Sequence, residues 1–307
     1  MKAMILAAGL GTRLRPLTDH RPKALVGLNG RTLLEITITR LKSFGVTELI
    51  INVHHFADLV IDYLQSHNNF NMRIEISLEE VLLDTGGGLK KASWFFLENS
   101  VANSFNSARI NSQPSLIFSP PVPPSPENSA IPDEPFLLHN VDIISTIDLA
   151  RMLQFHQQNQ ALATLAVQSR ESSRQLLFNQ HNQLVGRRIH NQDTLVSNTS
   201  VGDTGAENCH PERSEGSASS PDSPLATRHS PLLQSLAFSG IHILSPRLLL
   251  LLTEQGIFSI IPAYLRLSAQ NEKIQAFRAD EYYWRDLGKP ADLAQANLDL
   301  QQDVLPY

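Results

Sequence analysis

The stretch Met4–Val26, MILAAGLGTRLRPLTDHRPKALV, decides how this chain is read. A short apolar run enters two glycines, then three arginines and a Pro-Lys pair. A plain strand-to-helix turn needs one glycine and a cap. The surplus positive charge asks for a ligand that carries negative charge. A P-loop requires a Gly-Lys-Ser/Thr end, and this stretch has none. A dinucleotide fingerprint requires G-x-G-x-x-G; here Leu14 stands where the third glycine belongs, and Glu35, the candidate ribose acid, falls in a helical pattern. The third mechanism fits the charge. Gly9 and Gly11 let backbone amides approach a nucleotide, Arg13 and Arg15 offer forked donors suited to a triphosphate, and Lys23 adds a point charge.

Working outward, apolar runs and helical spacings alternate. Lys2–Ala8, Glu48–Val53, Arg73–Leu78, Phe136–His139 and Ala161–Val167 read as strands. Arg31–Phe44, Phe56–His67, Gly86–Leu97 and Ile147–His156 read as helices between them. A strand at Leu236–Leu244, helices at Leu248–Glu254 and Ile257–Leu267, strands at Ile274–Phe277 and Tyr282–Asp286, and a helix at Ala291–Leu300 follow. This order predicts an α/β fold with a Rossmann-like, doubly wound, mixed but mostly parallel sheet. Ligands gather at the carboxyl ends of strands in such sheets, where Met4–Val26, the glycine turn at Gly86 and the segment Asn140–Asp142 all fall.

The totals set bounds. With 307 residues and a formal net charge of -5, the chain is sized for one large domain and lacks the basic excess of a nucleic-acid binder. Cys209 is the single cysteine, so an intramolecular disulfide is impossible, which suits a reducing cytoplasm. The N-terminal apolar run breaks at Gly9 too early for a signal-peptide core, and no run approaches the roughly 18 apolar residues of a spanning helix. A cytoplasmic protein without membrane or nucleic-acid partners is expected; its oligomeric state is not readable. The segments 99–135 and 191–231 are rich in Ser, Asn and Pro and poor in periodic apolar residues, and are expected to be disordered insertions in a single domain spanning 1–307.

Five ordered pieces carry a family resemblance: LAAGLGTRLRPLTDHRPKAL, DTGGGLKKA (Asp84–Ala92), FLLHNVDIIS (Phe136–Ser145), FSGIHILSP (Phe238–Pro246) and WRDLGKP (Trp284–Pro290). Together they resemble the sugar-1-phosphate nucleotidyltransferases, especially short, helix-tailed members such as N-acetylmuramate 1-phosphate uridylyltransferases and mannose 1-phosphate guanylyltransferases. The resemblance implies the nucleotide-diphospho-sugar transferase fold. It also implies a reaction between a nucleoside triphosphate, UTP or GTP first, and a sugar 1-phosphate, with Mg²⁺ as cofactor. Two other outcomes stay open: a cytidylyltransferase for a non-sugar phosphate such as phosphocholine, and a catalytically idle nucleotide-sugar-binding regulator.

By the same resemblance, Arg13 contacts the outer phosphates and promotes departure of pyrophosphate, and Lys23 bridges the α-phosphate and the sugar phosphate. Asp142 and Asp286 are the metal ligands; the capping reading of Asp142 and the turn reading of Asp286 compete with it. Leu6, Ala7, Ala8, Gly9, Gly11 and Thr12 frame the nucleotide, with Gly86, Gly87 and Glu79 approaching it from a second side. Asn140, Arg174, Ser239 and Gly240 are the candidate sugar contacts. His54 and His55 lack a third ligand at matching spacing, so a structural role is expected of them. The chain departs from the family pattern at Ala24, Gly27, Val141 and Lys289, none of which removes a charge the chemistry needs.

Overall fold

The computed structural model describes residues 1–98, 133–190, 192–196 and 233–301. Most of the two expected insertions, and Cys209 with them, lie outside these residues. Where the second one is described it is ordered, because Gln192–Leu195 forms a strand.

Lys2–Leu6 (β1), Glu48–Val53 (β4), Arg73–Leu78 (β5) and Phe136–Asn140 (β6) lie in the order β6-β1-β4-β5 and pair in parallel. The centres of β1, β4 and β6 are apolar on both faces, whereas β5 alternates Ile74 and Ile76 with Glu75 and Ser77. In β1, Ala3 and Ile5 join one core cluster while Met4 joins the other. In β4, Leu49 and Ile51 likewise oppose Ile50. Such runs suit only strands covered on both sides.

Gly27–Leu28 (β2) and Arg31–Thr32 (β3) form a small hairpin, so the helix expected from Arg31 begins at Leu33. This helix, Leu33–Ser43 (α1), is capped by Thr32, whose hydroxyl accepts from Glu35 N at 3.0 Å. Ala57–Ser66 (α2) follows β4. The helix expected over 86–97 is two: Asp84–Lys91 (α3) and Ser93–Leu97 (α4), parted at Ala92. The break turns Phe95 and Phe96 into the core, where Phe96 stacks on Phe136 at 3.9 Å.

Beyond β6, Ile143–Ser145 (β7) leaves the main sheet, and Leu149–Gln158 (α5) leads on to Ala163–Gln168 (β8). Arg174–Phe178 (β9), Leu184–Ile189 (β10) and Gln192–Leu195 (β11) form an antiparallel ribbon that sequence periodicity did not announce. Gln234–Leu244 (β12) joins this ribbon to β6 and also pairs with β8. Ile274–Arg278 (β13) adds to β8 in parallel, completing a ten-stranded mixed sheet. Arg247–Leu251 (α6) and Ile260–Ala269 (α7) precede β13; Trp284–Asp286 (β14) pairs with β7, and Pro290–Gln301 (α8) closes the described chain. Among the described residues, no helix is long and apolar enough to cross a membrane.

Candidate active site

The carboxyl ends of β1, β4 and β5 are tied by a chain of buried hydrogen bonds. Asn52 accepts from Ala7 N at 2.7 Å and donates to Glu79 Oε1 at 2.8 Å. Glu79 Oε2 accepts from Leu83 N at 2.9 Å. Glu79 is 2% exposed, so its carboxylate is committed to holding the loops rather than offered to a ligand. That changes its expected part to one of positioning. Asn52, absent from the sequence reading, is the central member. The available signal was a polar residue ending an otherwise apolar strand, ELIINV. His54 shares the structural work, with Nδ1 2.8 Å from the Glu79 carbonyl.

The loop after β1 stands open where the charge is. Ala7 and Ala8 are buried, whereas Gly9, Thr12 and Arg13 are exposed. A Cβ built on Gly9 would meet nothing within 4 Å, so packing does not explain a glycine there. Gly11 turns the chain at φ 64°, and its carbonyl accepts from Thr18 Oγ1 at 2.9 Å. Leu14, fully buried, anchors the turn and leaves the side chains around it to solvent.

Gly86 and Gly87 are different. Both donate their amides to the Phe258 carbonyl, at 2.9 and 3.1 Å. A Cβ on Gly86 would lie 2.3 Å from the Phe258 ring, and one on Gly87 would lie 2.5 Å from the Gly256 carbonyl. The glycines expected to approach a nucleotide instead admit the segment before α7, which accounts for their lack of side chains.

Lys23 and the two aspartates converge. Pro22 opens a short turn that buries Lys23 and Ala24 and carries the Lys23 ammonium into contact with the Asp142 carboxylate. Asp142 sits between β6 and β7. The β7–β14 pairing sets Asp286 opposite Ile143, and Leu287 N donates to the Asp142 carbonyl at 2.8 Å. Burial, then the Asp142 charge, pushes the Asp286 carboxyl above its ordinary range against the pull of Lys23 and Arg13. Gly288 N donates to Asp286 Oδ1 at 2.7 Å. A Cβ on Gly288 would stand 2.6 Å from Arg13 Nη2 and 2.8 Å from Asp286 Oδ1, so this glycine leaves room for the Arg13 guanidinium beside Asp286. Two crowded acids without a third protein ligand suit a hard divalent cation completed by phosphate oxygens and water. Among the described residues there is no cluster of three or more acidic, His or Cys groups that could hold a metal.

Asp286 also borders a cavity of about 610 Å³. Asn140, Arg174 and Gly240 line it, as three of the four expected sugar contacts. Ser239 does not: it is fully buried, and its hydroxyl has no partner among the described residues. The alternation of β12 turns Ser239 inward and leaves Phe238 and Gly240 on the cavity wall. Gly240, at φ 75°, closely approaches the Asn140 side chain. Trp284 and Arg170 form the floor, with the guanidinium carbon 3.8 Å from the ring centroid. Trp284 Nε1 donates to the Ser239 carbonyl at 2.7 Å and Arg170 Nη2 to the Phe238 carbonyl at 2.6 Å. Neither was singled out from sequence, since their meeting depends on β12, β14 and the end of β8 coming together.

Residues 2–110 match the nucleotidyl transferase family. The chain is 50% identical over 93 residues to the N-acetylmuramate alpha-1-phosphate uridylyltransferase of Caulobacter vibrioides, a stretch covering 29% of this chain and 38% of that protein.

It is also 29% identical over 168 residues to the mannose-1-phosphate guanyltransferase of Aspergillus fumigatus, covering 54% of this chain and 37% of that protein. The matches thus span under two-fifths of these two relatives' own length. Among solved structures, HddC from Yersinia pseudotuberculosis complexed with GMP-PN superposes with a TM-score of 0.61 at 18% identity, covering 97% of this chain and 99% of that one. UDP-glucose pyrophosphorylase complexed with UDP-glucose gives 0.62 at 15% identity, covering 98% of each chain. At such identities the likeness establishes the fold. The family match contains the Gly9–Arg13 loop, Lys23, Asn52 and Glu79; Asp142, Asp286 and the cavity arginines lie beyond it.

Proposed function

We propose that the protein transfers a nucleotidyl group from a nucleoside triphosphate, UTP or GTP first, to a sugar 1-phosphate, giving a nucleotide sugar and pyrophosphate. The observation that carries this reading is the convergence of Arg13, Lys23, Asp142 and Asp286 beside a cavity of about 610 Å³. The attacking sugar-phosphate oxygen is already an anion, so the protein needs little base chemistry. Its work is to bring two anions together in line and offset the charge on the leaving pyrophosphate. The open amides around Gly9 receive the nucleotide. Lys23 lies between the loop and Asp142, where its ammonium can meet the phosphates on both sides of the reacting centre. Arg13, held against Gly288, faces the departing phosphates. Asp142 and Asp286 are the residues that would hold Mg²⁺, which when bound would neutralise phosphate charge and relieve their mutual repulsion. The cavity beyond Asp286 takes the sugar. A cytoplasmic setting belongs to the same reading and is supported by the single cysteine in 307 residues.

The deciding experiment is pyrophosphate release with Mg²⁺, across the common nucleoside triphosphates and a panel of sugar 1-phosphates. Release confined to one combination would establish the reaction and name both substrates. Folded protein that binds a nucleoside triphosphate yet turns over none of the panel would overturn the reading and favour an idle nucleotide-sugar-binding regulator.

A further inference from the structure

The strand that carries Asp286 presents its two faces to two different partners. By the alternation of β14, Trp284 and Asp286 turn to the cavity of about 610 Å³, which both line. Tyr283 and Arg285 turn the other way and meet one acid on α8. Tyr283 Oη donates to Asp299 Oδ2 at 2.5 Å, and Arg285 Nη2 lies 3.2 Å from the same carboxylate oxygen. Arg285 Nε donates to Tyr283 Oη at 2.9 Å, which closes a triangle. Gln295 Nε2, one turn earlier on α8, donates to Asp299 Oδ1 at 2.9 Å. Asp299 is buried, and both its oxygens are committed. Charge-assisted bonds of this kind are short and directional, so they fix a strand's place more closely than apolar contact does.

The two acids of the site are not held alike. Asp142 follows β6 with only Val141 between, so the main sheet holds it directly. Helix α1 adds a second hold on that limb, where Arg40 Nη1 donates to Ser145 Oγ and Nη2 to the Ile147 carbonyl, both at 2.6 Å. Asp286 stands farther from the main sheet: β13 ends at Arg278, and β14 pairs with β7 in a separate two-stranded sheet. A two-stranded ribbon is marginal by itself, so the place of its outer strand depends on what grips the reverse face. That grip is Asp299. The same helix also touches the segment around Lys23. Asn297 Oδ1 accepts from Asn29 N at 2.9 Å, and Leu293 borders a cavity of about 360 Å³ together with Pro16, Leu17 and Val26. Helix α8 thus spans from the loop limb of the site to its Asp286 limb.

We propose that Asp299 is a positioning residue for the metal pair, setting the place of Asp286 opposite Asp142 through Tyr283 and Arg285 and thereby the affinity of the two acids for a divalent cation. The proposal rests on the nucleotidyl-transfer reading for the purpose of that pair. Asp299 acts through β14 alone, and it lies outside the residues matched to the family. A small displacement of Asp286 is enough, because a hard cation shared by two carboxylates tolerates little change in their separation.

The test measures Mn²⁺ binding to the full chain, as a probe for Mg²⁺, from the electron paramagnetic resonance signal of the free ion. Asp299→Asn should raise the Kd about tenfold, the scale of losing an outer support of a metal site. Asp286→Asn should abolish the binding. Val60→Ala trims a buried side chain on α2, away from the ribbon, and should leave the Kd within about twofold of the parent protein. Should Asp299→Asn fail to fold, Tyr283→Phe, which keeps the ring and removes one hydroxyl, decides in its place. A Kd like that of the parent protein would overturn the positioning role. An equal rise in Val60→Ala would trace the effect to general loosening and would also overturn it. Mn²⁺ binding that is absent from the parent protein, or that Asp286→Asn leaves unmoved, would overturn it together with the metal assignment. The tenfold shift in a protein that releases no pyrophosphate from any substrate pair would uphold the positioning role and sink nucleotidyl transfer alone.

Discussion

Asp286 is delivered to Asp142 by a ribbon outside the main sheet: it pairs with Ile143, the residue after Asp142, and the Leu287 amide donates to the Asp142 carbonyl at 2.8 Å. The two acids are 144 positions apart by number, yet two strands of three residues each bring them into electrostatic contact. Asp142→Asn and Asp286→Asn should each lower turnover by at least about 100-fold, the scale of losing a charged group from a phosphoryl-transfer centre. Steady-state pyrophosphate release, with circular dichroism to confirm folding, checks this. Rates near those of the parent protein would remove both residues from the metal assignment.

Lys23 touches Asp142 and stands beside the loop proposed to receive the nucleotide. Lys23→Ala should therefore weaken use of the sugar phosphate more than binding of the triphosphate. The comparison is KM and kcat for the sugar phosphate against triphosphate affinity measured by calorimetry. Unchanged sugar-phosphate kinetics would exclude the bridging role.

The glycines divide by what surrounds them. Gly86→Ala places a methyl group 2.3 Å from the Phe258 ring and 2.9 Å from its carbonyl, so a loss of about 1–3 kcal/mol in stability is expected. Gly9→Ala meets nothing within 4 Å and should change stability by less than about 0.5 kcal/mol, while weakening triphosphate binding. Urea unfolding and calorimetric titration of both variants separate the two roles. A destabilised Gly9 variant with intact nucleotide affinity would contradict the assignment of an open, ligand-facing loop.

The Asn52–Glu79 link is buried and joins three strand ends. Asn52→Ala leaves the Ala7 amide and a Glu79 oxygen without partners, at a cost of about 1–3 kcal/mol. Hydrogen exchange should quicken at the Ala7 amide. Protection as in the parent protein would mean that the loop is held by other contacts.

Three buried histidines set an acid limit. Burial pushes His139 and His242 down to about 3 and His156 to about 4, from 6.5. In the unfolded chain each takes a proton near pH 6.5 that the folded chain refuses. Their contribution is therefore fully present above pH 6.5 and declines as pH falls toward 4. By pH 5 each of His139 and His242 should cost about 2 kcal/mol through protonation of the unfolded state. Urea midpoints measured from pH 7.5 to 4.5 test the slope, and His242→Gln should flatten it. A pH-independent midpoint across that range would show that these rings are not held neutral.

Much of this architecture is legible in the linear chain because it is local. The runs KAMIL and ELIINV are apolar on both faces and so demand a covered parallel sheet, with RIEISL alternating at its edge. The glycines and arginines after β1 mark a positively charged turn at a strand end before any partner is known. The charged residues of the proposed site, Arg13, Lys23, Asp142 and Asp286, are likewise named from the sequence and its family resemblance.

What the folded chain alone decides is which groups meet. Glu79 and Ser239 look available in a linear reading. Register and burial commit one to Asn52 and Leu83 and turn the other inward. Gly86 and Gly87 admit Phe258, a neighbour about 170 residues later whose approach no local pattern encodes. The β9–β10 ribbon, with its polar and charged faces, gives a weak periodic signal. Pairing alone puts Arg174 and Arg187 on one face of the ribbon and Arg188 on the other, and all three border the same cavity. Periodicity reports how each segment meets solvent and core, whereas a site is made of side chains from segments whose separation in sequence carries no distance.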